Sequence, residues 1–213
     1  IGPIPASNPL TVRDMRDKLC SETVCPFLCR RKTAKGRIMK SLIIYGSQYG
    51  TTKAYATKLS EMAGIPCVSY ENVADINDYE QIIYLGGLYA GGVKGLKNTF
   101  SLLKKSNIKT IVVTVGIADV SNKENTDKIK VSLEKQLGDD IYKNSLIFHL
   151  RGGIDYGKLN FMHKIMMKMV YHSLKNKPAE SFTKDDKDLM ETYNKTVDFV
   201  DYASLRQIVK AIQ

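Results

Sequence analysis

The 213-residue sequence lacks several features that would assign it to a well-known class. No apolar run approaches the ~18 residues of a membrane-spanning helix. Neither an H-E-x-x-H metal motif nor a nucleophile elbow is present, which leaves zinc proteases and α/β-hydrolases without support. The chain begins at Ile1 without a basic-then-apolar signal segment, so we expect a cytosolic protein.

Cysteine is scarce, and three of the four cysteines lie in the first 38 residues together with four of the six prolines. The gaps between Cys20, Cys25 and Cys29 do not form a C-x-x-C pair and no histidine lies nearby, so we expect no metal site. We predict that residues 1–38 are a non-native leader or irregular extension, and that one domain spans residues 39–213 from Met39.

A phosphate-binding pattern follows the first predicted strand. Residues 42–45 are apolar and predict a buried strand, and the helical spacing after Gly50 is carried by Ala54, Tyr55, Leu59 and Met62. The loop between them therefore lies at a helix N-terminus, where backbone N–H groups favour a phosphate. Hydroxyl donors come from Ser47, Thr51 and Thr52. The pattern indicates a phosphomonoester site, with a serine- and threonine-capped helix as the alternative.

Two better-known phosphate-binding loops are absent. A P-loop needs glycine directly before Lys-Ser or Lys-Thr, whereas Lys53 follows Thr52 and precedes Ala54. A dinucleotide-binding loop needs G-x-G-x-x-G, which residues 46–54 do not contain. The pattern that remains is S-x-x-G-x-T over residues 47–52, which we call the phosphate loop.

Strands and helices alternate along the chain. After the first strand we predict further strands at 66–70, 81–85, 109–115 and 145–150. We predict helices through Leu96, Phe100 and Leu103, over 126–137, over 158–174, and from Tyr202 to Ile212. The alternation predicts an α/β fold, a doubly wound five-stranded parallel sheet with helices on both faces, whose loops after the first, third and fourth strands meet in one crevice.

A phosphoacceptor receiver domain has the same strand order. It needs aspartates at the ends of its first and third strands, where this chain has Tyr45-Gly46 and Leu85-Gly86. That alternative therefore fails on the residues themselves.

The phosphate loop resembles the FMN phosphate loop of the flavodoxin family, except that Tyr49 stands where the family usually has its second hydroxyl. The resemblance implies a flavodoxin-like fold and FMN as cofactor. Tyr89 would be the candidate for stacking on the ring, and the third loop lacks the tyrosine common there in flavodoxins. The implied FMN contacts are Ser47, Gln48, Tyr49, Gly50, Thr51, Thr52, Gly87, Leu88, Tyr89, Ala90, Gly91, Gly116, Ile117, Ala118 and Asp119.

Residues 151–170, after the fifth strand, are similar to the extra segment of flavodoxin-type, menaquinone-dependent protoporphyrinogen oxidases. This resemblance implies an FMN-dependent oxidoreductase that oxidises protoporphyrinogen and passes the electrons to a quinone. Arg151, Lys164 and Lys168 would then contact substrate carboxylates. The alternative is a flavodoxin that carries electrons without a substrate of its own, and a third possibility is an interaction domain that has lost FMN.

The predicted helix over 158–174 is amphipathic, with methionines on one side and lysines elsewhere. It packs on its own domain, or it forms a docking face beside the flavin for a tetrapyrrole, a quinone or lipid head groups. The net charge is +10, of which residues 39–213 hold +5, whereas carrier flavodoxins are typically acidic. A positive surface favours anionic membranes, acidic partners or polyanionic substrates, so we expect peripheral contact with the inner membrane face. The basic residues are too dispersed to predict nucleic-acid binding.

Overall fold

The computed structural model of the chain describes residues 39–89, 92–104 and 108–212, apart from the side chains of 179, 184 and 185. The predicted leader, residues 1–38, lies outside the described residues, so the boundary at Met39 stays a prediction. Within the described ranges no helix is both long enough and apolar enough to cross a bilayer.

Five parallel strands form the central sheet, in the order β2-β1-β3-β5-β6. Their bounds are β1 Ser41–Gly46, β2 Cys67–Ser69, β3 Gln81–Tyr89, β5 Lys109–Gly116 and β6 Ser145–Arg151, and a short strand β4, Gly92–Val93, pairs antiparallel with β3. The switch in strand order falls between β1 and β3, so the loops that follow them meet at one edge. The predicted doubly wound parallel sheet is confirmed.

Alternate residues of each strand face two separate apolar layers, as the two-residue period of a strand requires. Ile43 of β1 is fully buried against α1 (Thr51–Ala63) and the C-terminal helix α7 (Leu205–Ile212). Its neighbours Leu42 and Ile44 face the opposite layer, which includes α2 (Leu96–Phe100) and α3 (Lys123–Leu137). Each fully buried aliphatic side chain contributes about 1.5–3 kcal/mol, so the two layers hold the helices on both faces.

Strand β3 is longer than the sequence predicts. We expected it to end at Leu85 and to be followed by a glycine-rich loop, but it continues to Tyr89. The reason is a hairpin, in which Leu88 pairs with Val93 and Tyr89 with Gly92. Gly86 permits this hairpin because a Cβ there would collide with the Val93 side chain. The prediction of a loop over 86–89 is wrong.

The segment after β6 forms a small subdomain of its own. Strand β7, Gly153–Asp155, pairs antiparallel with β8, Thr196–Asp198, and Gly152 O accepts a hydrogen bond of 3.2 Å from Phe199 N–H. Between these two strands lie α5, Phe161–Lys175, and α6, Lys184–Thr192, while the short α4, Asp139–Lys143, precedes β6. The extra helical segment predicted after the fifth strand is therefore present, and β7 and β8 anchor both of its ends.

Tyr49 joins the phosphate loop to α5. Asn160 caps this helix, because its Oδ1 accepts a hydrogen bond of 2.8 Å from His163 N–H. The Tyr49 hydroxyl accepts a hydrogen bond of 3.4 Å from Asn160 N–H, and it is also hydrogen-bonded to His163 Nδ1. The ring centroids of His163 and Tyr89 lie 4.3 Å apart. The residue that departs from the flavodoxin pattern thus fastens the extra helix.

The backbone approach at Gly46 gives a stability prediction. A Cβ on Gly46 would lie 2.7 Å from the Tyr84 hydroxyl oxygen and 2.9 Å from the Lys94 carbonyl carbon. We expect Gly46→Ala to lower the free energy of unfolding by about 1–3 kcal/mol, measured by urea denaturation, because neither neighbour is the end of a flexible chain. Gly157→Ala is the control, since its Cβ would meet only the Asp155 carboxylate, 3.1 Å away. Equal stability of the two variants would contradict the packing described.

The Tyr49 contacts give a second prediction. We expect Tyr49→Phe to speed amide hydrogen exchange in α5 while changing the unfolding free energy of the whole domain by less than about 1 kcal/mol. The hydroxyl fastens one helix and takes no part in the core. Tyr202→Phe is the control, because Tyr202 is an exposed tyrosine beside α7. Unchanged exchange in α5 would show that the hydroxyl does not hold this helix.

Candidate functional site

A cavity of about 240 Å³ lies at the carboxyl ends of β1, β3 and β5. The phosphate loop and the start of α1 line it through Ser47, Gln48, Tyr49, Thr51 and Thr52. The end of β3 adds Gly87, Leu88 and Tyr89, the last residue of β5 adds Gly116, and the loop after β5 adds Ile117. The structure therefore brings together ten of the residues that the sequence predicts for one site.

The phosphate loop presents the bare N-terminus of α1 to this cavity. Gly50 is the N-cap residue with φ of +98°, a left-handed conformation that favours glycine, and no described side chain caps the helix. Ser47 Oγ accepts a hydrogen bond of 3.1 Å from Gly50 N–H, which closes the loop upon itself. The first turn of α1 carries no acidic residue. Its unpaired N–H groups and the helix dipole therefore favour an anion.

Glycines allow the three loops to approach closely. A Cβ on Gly87 would lie 3.1 Å from Thr52 Oγ1, and one on Gly116 would lie 2.6 Å from Leu88 Cδ1. Thr52 itself is only 4% exposed, so its side chain is fixed between α1 and β3. The crevice is consequently narrow, with a hydroxyl-rich end at α1 and an apolar end formed by Leu88 and Ile117.

Some predicted site residues lie elsewhere. Gly50, Ala118 and Asp119 are not among the residues that line the cavity. Gly50 shapes the turn before α1, and the Asp119 carboxylate accepts hydrogen bonds from the backbone N–H and the hydroxyl of Ser121, at 3.0 and 2.7 Å. Ala90 and Gly91 fall outside the described residues, so their predicted contacts stay predictions.

The three basic residues expected at a substrate do not line the cavity. The Arg151 guanidinium lies 3.9 Å from the ring centroid of Phe199 and donates to the Ile117 carbonyl oxygen at 3.4 Å. Lys164 Nζ donates to the Gly157 carbonyl oxygen at 3.4 Å, and Lys168 is exposed. Arg151 thus supports the wall of the site, whereas the two lysines lie on the outer surface.

Sequence reasoning offered the helix over 158–174 as a docking face beside the flavin, but it assigned no residue of the wall opposite the phosphate loop to the cofactor site. The extra segment contributes Gly152, Gly153, Ile154, Leu159, His163, Met166 and Met167 to the cavity. Helical spacing indicated an apolar face over 158–174, but nothing in the sequence showed that this face points at the phosphate loop. Lys94, whose ammonium group donates to Gln48 Oε1, also lines the cavity and was not foreseen.

The described residues offer little other chemistry. They hold no group of three His, Cys, Asp or Glu side chains arranged to bind a metal ion. Burial raises the pKa of the Cys67 thiol to about 12, so this thiol stays protonated at neutral pH. The geometry therefore points to binding of an anionic ligand with an apolar body rather than to nucleophilic catalysis.

Known proteins place the chain in a family. Residues 42–181 match the family model of the flavodoxin domain, and no curated protein matches significantly. Similar solved structures include a Lactobacillus acidophilus flavoprotein in complex with FMN, at 14% identity, 53% coverage of this chain, 92% of that chain and a TM-score of 0.36. A Fusobacterium nucleatum flavodoxin mutant bound to flavin mononucleotide is 18% identical, with 58% and 74% coverage and a TM-score of 0.36. Flavodoxin 2 from Bacillus cereus is 12% identical, with 71% and 93% coverage and a TM-score of 0.37.

At these scores the assignment rests on the family model, which covers well over half of the chain. The chain therefore belongs to the flavodoxin-domain family.

Proposed function

We propose that this protein binds FMN in the cavity and acts as an FMN-dependent oxidoreductase. One observation carries the proposal: the phosphate loop and the extra segment after β6 line the same cavity. An electron carrier needs only the first, whereas an enzyme also needs a second wall against which a substrate can lie. The family membership and the cavity support the cofactor, and the second wall supports the enzyme.

The residues present fit FMN. The uncapped N-terminus of α1, with Thr51 and Thr52 in its first turn, suits a phosphate dianion. Leu88, Tyr89 and Ile117 form an apolar slot for a flat ring system, and glycine at 87 and 116 lets Thr52 and Leu88 pack closely beside it. Lys94 adds a positive charge to the lining. This set of donors matches a ligand with an anionic end and an apolar body.

In this proposal α5 moves when FMN enters the cavity. A volume of about 240 Å³ is below the ~300–1,000 Å³ of typical small-molecule sites. The wall that we expect to move is α5. It is held by hydrogen bonds of the Tyr49 hydroxyl with Asn160 and His163. In this proposal α5 is displaced from Tyr49 when the ligand enters, and the apolar side chains of Met166 and Met167 then cover the ligand and exclude water.

The substrate that we propose is protoporphyrinogen, with a quinone as acceptor. Bound FMN supplies the redox chemistry, accepting a hydride equivalent and passing electrons onward. The chain's residues orient the reactants and keep water out, which agrees with the shortage of acid and base groups in the lining. What supports this substrate is the resemblance of residues 151–170 together with the adaptable apolar wall that they form. That Lys164 and Lys168 contact substrate carboxylates stays a proposal, and it requires the propionate ends of the substrate to extend from the cavity to the outer surface of α5.

A carrier flavodoxin is the second candidate. It is favoured by the family assignment itself, which is to the flavodoxin domain and to no more specific enzyme. The two candidates share the cofactor and differ only in whether a reduced substrate reacts directly. Cofactor binding and substrate oxidation therefore need separate experiments.

Phosphate recognition predicts discrimination between FMN and riboflavin. We expect Thr51→Asp to weaken FMN binding by about tenfold or more (~1.4 kcal/mol), measured by quenching of flavin fluorescence, and to leave riboflavin binding unchanged. Asp at the first helical position favours α1, so the loss would come from charge repulsion and not from unfolding. Thr51→Val is the control, because it removes the hydroxyl without adding charge. Equal loss of both flavins would contradict a phosphate site at α1.

The enzyme proposal predicts a redox cycle. We expect anaerobic addition of protoporphyrinogen to bleach the oxidised-flavin absorbance of the FMN-loaded protein, and a menaquinone analogue to restore it. Dithionite reduction followed by the same quinone is the control for the second half of the cycle. Flavin that dithionite reduces but protoporphyrinogen does not would reject the substrate and favour the carrier.

A further inference from the structure

The outer face of α5 exposes large apolar side chains. Phe161 is 76% exposed, Met162 69% and Met169 67%, and Ile165 is also exposed. At ~100° per residue these four positions fall within about 100° of the helix circumference, so they form one stripe. Apolar residues exposed singly are ordinary on a protein surface, whereas a contiguous stripe of this kind indicates an interaction surface.

A row of lysines borders this stripe. On the helix circumference Lys164, Lys168 and Lys175 fall within about 40° of one another, next to the angular position of Phe161. None of the three is paired with a carboxylate among the described residues. From 156 to 178 the sequence has five lysines and no Asp or Glu. The apolar stripe and this row together are called the docking face below.

We propose that the docking face binds the interface of an anionic lipid bilayer. Phenylalanine and methionine side chains enter the boundary between head groups and acyl chains, while lysines beside them extend to the phosphates. The three lysines of the docking face are positively charged, so an anionic surface attracts all of them. A fluid bilayer accepts such exposed apolar side chains without the complementary groove that a protein partner would need.

Charge also disfavours a cover from the chain's own N-terminal part. Residues 1–38 carry eight Lys and Arg against three Asp and Glu, so they have the same sign as the lysine row. A second copy of the chain would likewise bring one lysine row against another in a symmetric pair. Both of these occupants are repelled by the charge that attracts a bilayer.

Because α5 also lines the cavity, bilayer docking would determine where the cavity lies relative to the membrane. The inner face of α5 supplies His163, Met166 and Met167 to the cavity, so docking would hold the cavity beside the acyl chains. A lipid-soluble electron acceptor would then reach the site without crossing bulk water. This consequence rests on the proposed function, whereas bilayer binding by the docking face does not.

The test is co-sedimentation of the full chain with phosphatidylcholine vesicles, with and without phosphatidylglycerol. We expect partitioning onto the anionic vesicles to exceed that onto neutral ones by about tenfold or more, and to weaken as salt rises. Met162→Gln with Met169→Gln should reduce partitioning by about tenfold, and Lys164→Gln with Lys168→Gln should remove most of the salt dependence.

Matched controls lie on α3. Val131→Gln replaces an apolar residue that is 52% exposed, and Lys123→Gln with Lys135→Gln removes two exposed charges. We expect these variants to bind within about twofold of the parent chain. Equal losses in the α3 variants would overturn the proposal, because binding would then not depend on where these apolar and charged residues lie. Binding that is absent from anionic vesicles would overturn it as well.

Two further measurements separate other outcomes. A dimer in solution that disappears with Met162→Gln and Met169→Gln would overturn the proposal in favour of a second copy. Flavin titration of the same double variant is independent of vesicles, since neither methionine lines the cavity. Vesicle binding without FMN binding would support the docking face and reject the proposed function. FMN binding without vesicle binding would support the cofactor site and reject the docking face.

Discussion

The cavity depends on close backbone approach at the carboxyl ends of β1, β3 and β5. Gly46 lies against the Lys94 carbonyl, Gly87 against Thr52 and Gly116 against Leu88, and none of these positions has room for a side chain without movement of its neighbour. Parallel strands bring three loops to one edge, but glycine allows these loops to form a narrow crevice. The uncapped N-terminus of α1 opens into that crevice, so the fold places an anion site and an apolar slot next to each other.

Tyr49 gives the site its second wall. A small hydroxyl residue at this position would stay within the phosphate loop, whereas the longer tyrosine side chain reaches Asn160 and His163 at the start of α5. The same contacts hold α5 beside the cavity of about 240 Å³, which this helix lines with His163, Met166 and Met167. Tyr49, which departs from the flavodoxin pattern, thus contacts the extra segment after the fifth strand. One face of α5 lines the cavity, and the other face lies on the protein surface.

Local periodicity predicted the sheet and its helices well, because buried strands such as β1 and β5 are continuous apolar runs with alternate residues in the two layers. It failed where pairing over the glycines decided the outcome. Glycine at 86 and 87 indicates a turn, yet the pairing of Leu88 with Val93 extends β3. Periodicity also gives no information on contacts between distant positions, such as that of Tyr49 with His163, which are 114 residues apart. Arg151 is a second example: the resemblance assigned it to the substrate, but its guanidinium lies over the Phe199 ring and does not line the cavity.

We infer that the N-terminus of α1 and the inner face of α5 hold one ligand between them. The most direct measurement is a titration of the ¹⁵N-labelled chain with FMN, followed by amide chemical shifts. We expect the largest changes in two separate segments, residues 47–53 and residues 152–167, with one shared saturation curve. Changes confined to the first segment would remove α5 from the site, and changes in neither segment would show that FMN does not bind in this cavity.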